Sequence, residues 1–156
     1  MDFWQAVAFL ETGQLLDIAK AADDYGYHTI TVSDHLFFSE RLRSKYPYSA
    51  AGRPFWSPVS PWPDPWVAIG AMAAVTSRVR FTTNVYIAPA RDLFTVAKLV
   101  STAAVISGDR VALGAGAGWC EEEFAQTGQD FSTRGDRLEE MMGALRRLWQ
   151  GGTVEH

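Results

Sequence analysis

An acid and an imidazole stand side by side at Asp34-His35, directly after Ser33. Histidine has an unperturbed pKa near neutrality, so His35 is the candidate for moving a proton. The tripeptide closes a short apolar run, Thr29-Ile30-Thr31-Val32, which reads as a buried strand. In parallel α/β proteins the C-terminal tips of strands are where active sites gather. The plain alternative is a turn in which the carboxylate caps the loop and the imidazole binds backbone.

Other chemistry has weaker support. Ser33 lies two residues from His35, but no G-x-S-x-G elbow is present. Cys120 has no evident partner base. His28 is expected at a strand entrance on the opposite face, and His156 stands at the terminus. Glu121-Glu122-Glu123 reads as a solvated first helical turn, favoured by the helix dipole. Adjacent acids on a helix do not face one another across a cleft, as paired-carboxylate hydrolysis requires. Gly114-Ala115-Gly116-Ala117-Gly118 has G-x-G-x-G spacing and falls in a fourth βα turn. The dinucleotide fingerprint needs G-x-G-x-x-G in the first. Two readings of these glycines stay open: tight backbone packing at a strand end, or room for a flat cofactor against the backbone, which is preferred. No spacing supports a metal site.

Composition bounds the partners. A formal charge of −4, with basic residues scattered, argues against nucleic acid. A single cysteine excludes an intrachain disulfide and fits a reducing compartment, so a cytoplasmic location is expected. The N-terminus lacks the pattern of a signal peptide. No uncharged apolar stretch reaches the roughly 18 residues that a membrane span requires.

A strand-then-helix rhythm must position the tripeptide. Strands are expected at Phe3–Phe9, Thr29–Val32, Val79–Ile87 and Val111–Gly116. Helices are expected at Thr12–Tyr25 (buried face Leu15, Ile18, Ala19, Ala22), from Asp64-Pro65 onward (Ala68, Ala71, Met72, Val75), and at Leu93–Ile106 (Leu93, Ala97, Val100, Ala104). A last helix follows Thr133, with Asp136 completing a variant capping box; Leu138, Met141, Met142, Leu145, Leu148 and Trp149 form its stripe. Gly118 to Asp130 is expected to be loop with one helical turn. The 33–64 segment, rich in proline and tryptophan, reads as a long lid-like insertion loop. Four such units imply α/β with a parallel sheet, either doubly wound or half of a (β/α)8 barrel. A half-barrel leaves two strand edges and an inner face uncovered, so it would need a partner. The end at residues 153–156 carries no stop signal and reads as a chain interrupted mid-protein.

Several segments, in order, resemble the luciferase-like monooxygenase superfamily, especially its F420-dependent oxidoreductases. They are residues 27–35, Asp64-Pro65-Trp66-Val67-Ala68, residues 73–80, residues 107–119, Glu121-Glu122-Glu123-Phe124 and Arg134-Gly135-Asp136-Arg137. The resemblance implies that residues 1–156 form a single partial domain, the N-terminal half of a (β/α)8 TIM barrel with about four parallel strands and helices outside. It implies an oxidoreductase using a deazaflavin or flavin for hydride transfer to or from a small organic substrate. His35 would be the catalytic proton donor or stabiliser and Asp34 would contact the cofactor. A non-prolyl cis bond at Asn84-Val85 would back the ring, and Ile87, Ala117 and Gly118 would line the ring and its tail.

Trp119 stands where the sugar-phosphate dehydrogenase branch has a catalytic acid, which argues against that activity. Asp34-His35 in place of the Glu-His of the luciferase branch favours F420, with FMN-dependent monooxygenation as the alternative. The third alternative is a non-catalytic half-barrel that dimerises. Besides a small substrate, the expected partner is a second copy or a C-terminal half, with no nucleic acid and no membrane.

Overall fold

A computed structural model describes residues 1–155; His156 lies outside the described residues. The chain divides into two compact units. The first contains Met1–His35, Pro61–Tyr86 and Lys98–Ala115; the second contains Leu36–Ser60, Ile87–Ala97 and the chain from Gly116 onward.

The first unit carries a four-stranded parallel sheet in the order β1-β2-β3-β4. Its strands are β1 (Trp4–Ala6), β2 (Thr29–Val32), β3 (Arg80–Thr83) and β4 (Val111–Ala112). Spatial order follows chain order without the reversal that defines a doubly wound sheet. β2 is central and all four of its residues are buried. Its β-branched side chains suit a pleated, enclosed surface. Ile30 and Phe81 are register partners and both are fully buried. The opposite parity is covered only at the centre: Thr29 and Thr31 are buried, whereas Trp4, Ala6, Arg80 and Ala112 are exposed.

Helix α1 (Leu15–Asp24) follows a 3-10 turn at Thr12–Gln14 and buries Leu15, Ala19 and Ala22 as expected; Ile18 is half-buried. Helix α2 (Pro65–Ala73) opens on Asp64, whose carboxylate accepts the Trp66 and Val67 amides at 2.9 and 3.0 Å. That is the N-cap geometry, with proline at the first helical position. Its buried face matches the expected one in part: Ala68 and Met72 are inside together with Trp66, Ile69 and Ala73, while Ala71 and Val75 are exposed. The helix is apolar all round, so periodicity could not select a face. Helix α3 (Leu93–Ser107) buries Leu93, Val96, Val100, Ala103 and Ser107, a stripe rotated away from the expected Ala97 and Ala104.

A buried aspartate, Asp23, and a half-buried arginine, Arg110, close the N-terminal end of the sheet. Asp23 accepts the amides of Ser77, Arg78 and Val79 at 3.0, 2.7 and 2.6 Å. Burial alone would push its carboxyl up, but these amides and the Ser77 hydroxyl outweigh it and hold the pKa at about 2. The Arg110 guanidinium donates to the carbonyls of Ala73, Thr76, Val79 and Ser107 and stands 5.6 Å over the Phe81 ring. Residues 77–79 and 107–110 are therefore the turn chemistry of the end of the sheet remote from His35.

The second unit holds α4 (Glu121–Thr127) and α5 (Arg134–Trp149), with the beginning of α3. α4 is two turns long where one was expected, and ends at Gly128 in the left-handed conformation. Thr133 makes no side-chain cap. Asp130 accepts the Ser132 amide instead and starts a 3-10 turn, Phe131–Thr133, that runs into α5. Ile87, Ala90 and Phe124 form a buried cluster against Phe131, and α5 buries Met141, Ala144 and Leu145. Arg134 stacks 3.9 Å over the Phe131 ring and donates to the Gly118 carbonyl; Arg137 donates to those of Pro89 and Arg91.

Candidate active site

In the first unit, the neighbouring tips of β2 and β3 bring four of the candidate residues to one end of the sheet. Val32 and Thr83 are register partners, and the Asn84 amide donates to the Val32 carbonyl at 2.8 Å. Ser33-Asp34-His35 and Asn84-Val85 leave adjacent strand ends from there. Asp34 is buried and His35 half-buried. The His35 ring meets Trp62 edge-on, with centroids 5.1 Å apart, and Trp62 in turn meets Phe9 at 5.0 Å. The Asn84-Val85 bond is cis. Both residues are exposed, Val85 at 43%. An exposed isopropyl group beside an exposed amide and a half-buried imidazole is a suitable wall for a flat ring with a polar edge. These residues thus fit a flavin or deazaflavin.

The glycines after β4 serve packing. A Cβ at Gly114 would stand 2.0 Å from the Thr83 carbonyl oxygen. The Thr83 hydroxyl donates to the Gly114 carbonyl at 2.9 Å and accepts its amide at 3.1 Å. The Tyr86 amide also donates to the Gly114 carbonyl, at 2.7 Å. β3 and β4 stay joined past their ladder by these bonds and by the Tyr86–Ala115 bridge. In the second unit, Gly118 has φ +82°, and a Cβ there would lie 2.7 Å from Ile87 Cγ2 and 3.1 Å from Phe124. Ile87 is buried and Ala117 half-buried. The close-packing alternative thus accounts for Gly114 and Gly118 from the chain's own atoms.

The long loop has no helix or strand between residues 33 and 64, yet it is anchored. The expectation of a solvated acidic turn fails at Glu122 and Glu123. Glu122 accepts the Arg43 amide at 2.5 Å, the Ser44 amide at 3.1 Å and the Ser44 hydroxyl at 2.7 Å. Burial pushes its carboxyl up, but these bonds outweigh it and hold the pKa at about 2. Glu123 is fully buried and accepts the Leu36 amide at 2.5 Å. Tyr46 meets Trp56 and Trp119 edge-on at 5.0 and 5.1 Å, so loop aromatics stack on the residue that follows the glycine turn. Cys120 is buried, and desolvation pushes its thiol up to about 12. Such a thiol is a poor nucleophile. His28 bonds Thr29 Oγ1 at 2.7 Å at the entrance of β2, the end opposite His35, as expected. Among the described residues no cluster of three or more His, Cys, Asp or Glu could hold a metal, and no helix is long and apolar enough to cross a membrane.

Sequence reasoning missed Glu122, Glu123 and their loop partners. The pairs lie 78 to 87 positions apart, and nothing in the local pattern marks them.

The family profile of luciferase-like monooxygenases matches residues 7–156. An uncharacterized protein of Mycobacterium tuberculosis is 33% identical over 99% of this chain, which spans 54% of that protein. The F420-dependent glucose-6-phosphate dehydrogenase of Nocardia farcinica is 30% identical over 91% of the chain, with 39% of that enzyme covered. The chain therefore spans about half or less of these relatives. The oxygenating constituent of 3,6-diketocamphane monooxygenase from Pseudomonas putida, solved with FMN, superposes with TM-score 0.77 at 17% identity, over all of this chain and 41% of that one. An F420-dependent secondary alcohol dehydrogenase superposes with TM-score 0.71 at 20% identity, over 95% of this chain and 41% of that one. At such identities these structures speak to the fold: four parallel strands and five helices match about 40% of a luciferase-like TIM barrel. The chain belongs to the luciferase-like monooxygenase family.

Proposed function

We propose that this chain supplies the proton-handling wall of an F420-dependent oxidoreductase acting on a small organic substrate. The observation that carries the reading is the β2–β3 tip, where a half-buried His35 and exposed Asn84 and Val85 leave adjacent strands. F420, when bound, supplies a ring carbon that accepts or gives a hydride. Val85 offers that ring an apolar face, and the Asn84 amide offers a polar contact. The imidazole of His35, held edge-on by Trp62, gives or takes the substrate proton that accompanies hydride transfer. Asp34, adjoining it, is the second polar contact to the cofactor. The resemblance favours F420 through Asp34-His35, and the Nocardia relative is named as F420-dependent. Trp119 in place of an acid argues for a substrate other than a sugar phosphate.

Fluorescence titration of the purified chain with F420 and with FMN tests this. F420 is expected to bind more tightly. Tighter FMN binding would move the reading to the FMN monooxygenases. No binding of either at roughly tens of micromolar would remove the enzyme reading for this chain.

One observation favours a dimerising half-barrel as the second reading. β1 and β4 each have one neighbour, and Trp4, Arg80 and Ala112 are exposed on one sheet face. A monomer at all accessible concentrations would refute it.

A further inference from the structure

We infer that Thr83 is a positioning residue for Asn84 and Val85, setting the pair out from the sheet through its hydroxyl. This rests on the proposed role of that pair as the cofactor wall. β3 and β4 start in even register, Phe81 beside Val111 and Thr82 beside Ala112. Past the ladder, Tyr86 stands beside Ala115. Three residues, 83–85, therefore lie opposite two, 113–114. Such a one-residue excess is a β-bulge, which bends a strand and re-aims its side chains. The hydrogen bonds locate it. Amides of one strand in a parallel ladder donate at every second residue, and the Phe81 amide donates to the Arg110 carbonyl at 2.8 Å. Continued as far as Gly114, that spacing calls for the Val85 amide. The Tyr86 amide is there instead, at 2.7 Å. The Gly114 amide donates to the Thr83 hydroxyl at 3.1 Å, and that hydroxyl donates to the Gly114 carbonyl at 2.9 Å. The Gly114 carbonyl is thus held by Thr83 on one side of the pair and by Tyr86 on the other. Thr83 and Tyr86 are buried, and the two residues between them are exposed. A site that needed only packing would carry valine, because a buried hydroxyl is costly unless it is bonded. Here the hydroxyl meets both polar groups of Gly114, one residue before the wall begins.

The test is nuclear magnetic resonance on the full chain without cofactor, comparing wild type with Thr83→Val and Thr83→Ser. In wild type the Gly114 and Tyr86 amides are expected to exchange slowly and the Val85 amide fast. Thr83→Ser keeps the hydroxyl and is expected to retain this pattern, with the Asn84 side-chain amide and Val85 methyl signals in place. Thr83→Val is expected to speed Gly114 exchange by roughly tenfold, the factor for one lost hydrogen bond, and to shift the Asn84 and Val85 signals. The amides of Ser77 and Val79, bound to Asp23 at the other end of the sheet, should be unchanged. Should the valine variant not fold, the wild-type and serine spectra decide. A protected Val85 amide beside an open Tyr86 amide in wild type overturns the inference, as does a serine variant that loses the pattern. A folded valine variant with unmoved Asn84 and Val85 signals overturns it too, making Thr83 a staple between strands. Titrating the same samples with F420 and with FMN separates this claim from the cofactor reading. Where wild type binds, Thr83→Val should weaken binding by roughly tenfold and Thr83→Ser by less than about threefold; equal affinity in all three overturns the inference. Failure of wild type to bind either, with the exchange pattern intact, counts against the cofactor reading and leaves Thr83 in place.

Discussion

Gly114 lies so close to Thr83 that a Cβ on it would stand 2.0 Å from the Thr83 carbonyl oxygen. The obstacle is backbone in the β3 tip that leads to Asn84, so it cannot swing aside. Gly114→Ala is expected to destabilise by about 3 kcal/mol, measured by urea denaturation. A variant within about 0.5 kcal/mol of wild type would show that the tip is not packed this way. Alanine at Gly135, with nothing within 4 Å of its Cβ position, is the control.

Stability is expected to fall on acidification because of Asp23. Its folded pKa, about 2, lies below that of an unfolded aspartate. The carboxylate therefore contributes stability above pH 4, and loses it as the pH falls from about 4 through about 2. The contribution is roughly 2 kcal/mol. Denaturation midpoints at pH 7, 4 and 2.5 should show a smaller acid loss in Asp23→Asn than in wild type. Parallel curves would contradict the anchor.

Cys120 should be silent to thiol reagents in the native protein. It is 3% exposed with a thiol pushed up to about 12. Its labelling by an aromatic disulfide is expected only on unfolding. Fast native labelling at pH 8 would mean that the segment preceding α4 opens.

Glu122→Ala should release the loop at Arg43 and Ser44, which lose three hydrogen bonds. Limited trypsin digestion after Arg41, Arg43 and Lys45 is expected to quicken by roughly tenfold or more. Unchanged cleavage would place the anchor elsewhere, in the Tyr46–Trp56–Trp119 stack.

His35→Ala, made in an active full-length enzyme carrying this half, should lower kcat by roughly 10²–10⁴-fold while cofactor affinity stays within a few-fold. Equal losses in both would make His35 a structural residue.

Local pattern was enough for much of the fold. β2, the start of α2 and the bounds of α3 follow from β-branching, an Asp-Pro cap and a following glycine turn, all read within a few residues. The faces of α2 and α3 were only partly legible: Ala68, Met72, Leu93 and Val100 are buried as expected, but apolar residues extend beyond one stripe and neighbouring elements choose among them. Acids at 121 to 123 looked solvated for the converse reason: a charge run has the same local signature whether or not a distant amide is there to receive it.

The same division runs through the site. The sequence by itself determined that an acid and an imidazole end a buried strand, that glycines follow the fourth strand, and which family they belong to, because each is a matter of residue type and short spacing. Only the tertiary structure decided that Thr83 claims Gly114, that Trp62 holds His35 edge-on, and that Glu123 receives the amide beyond it. Those contacts join residues tens of positions apart, and their energies exist only once the chain has closed the distance.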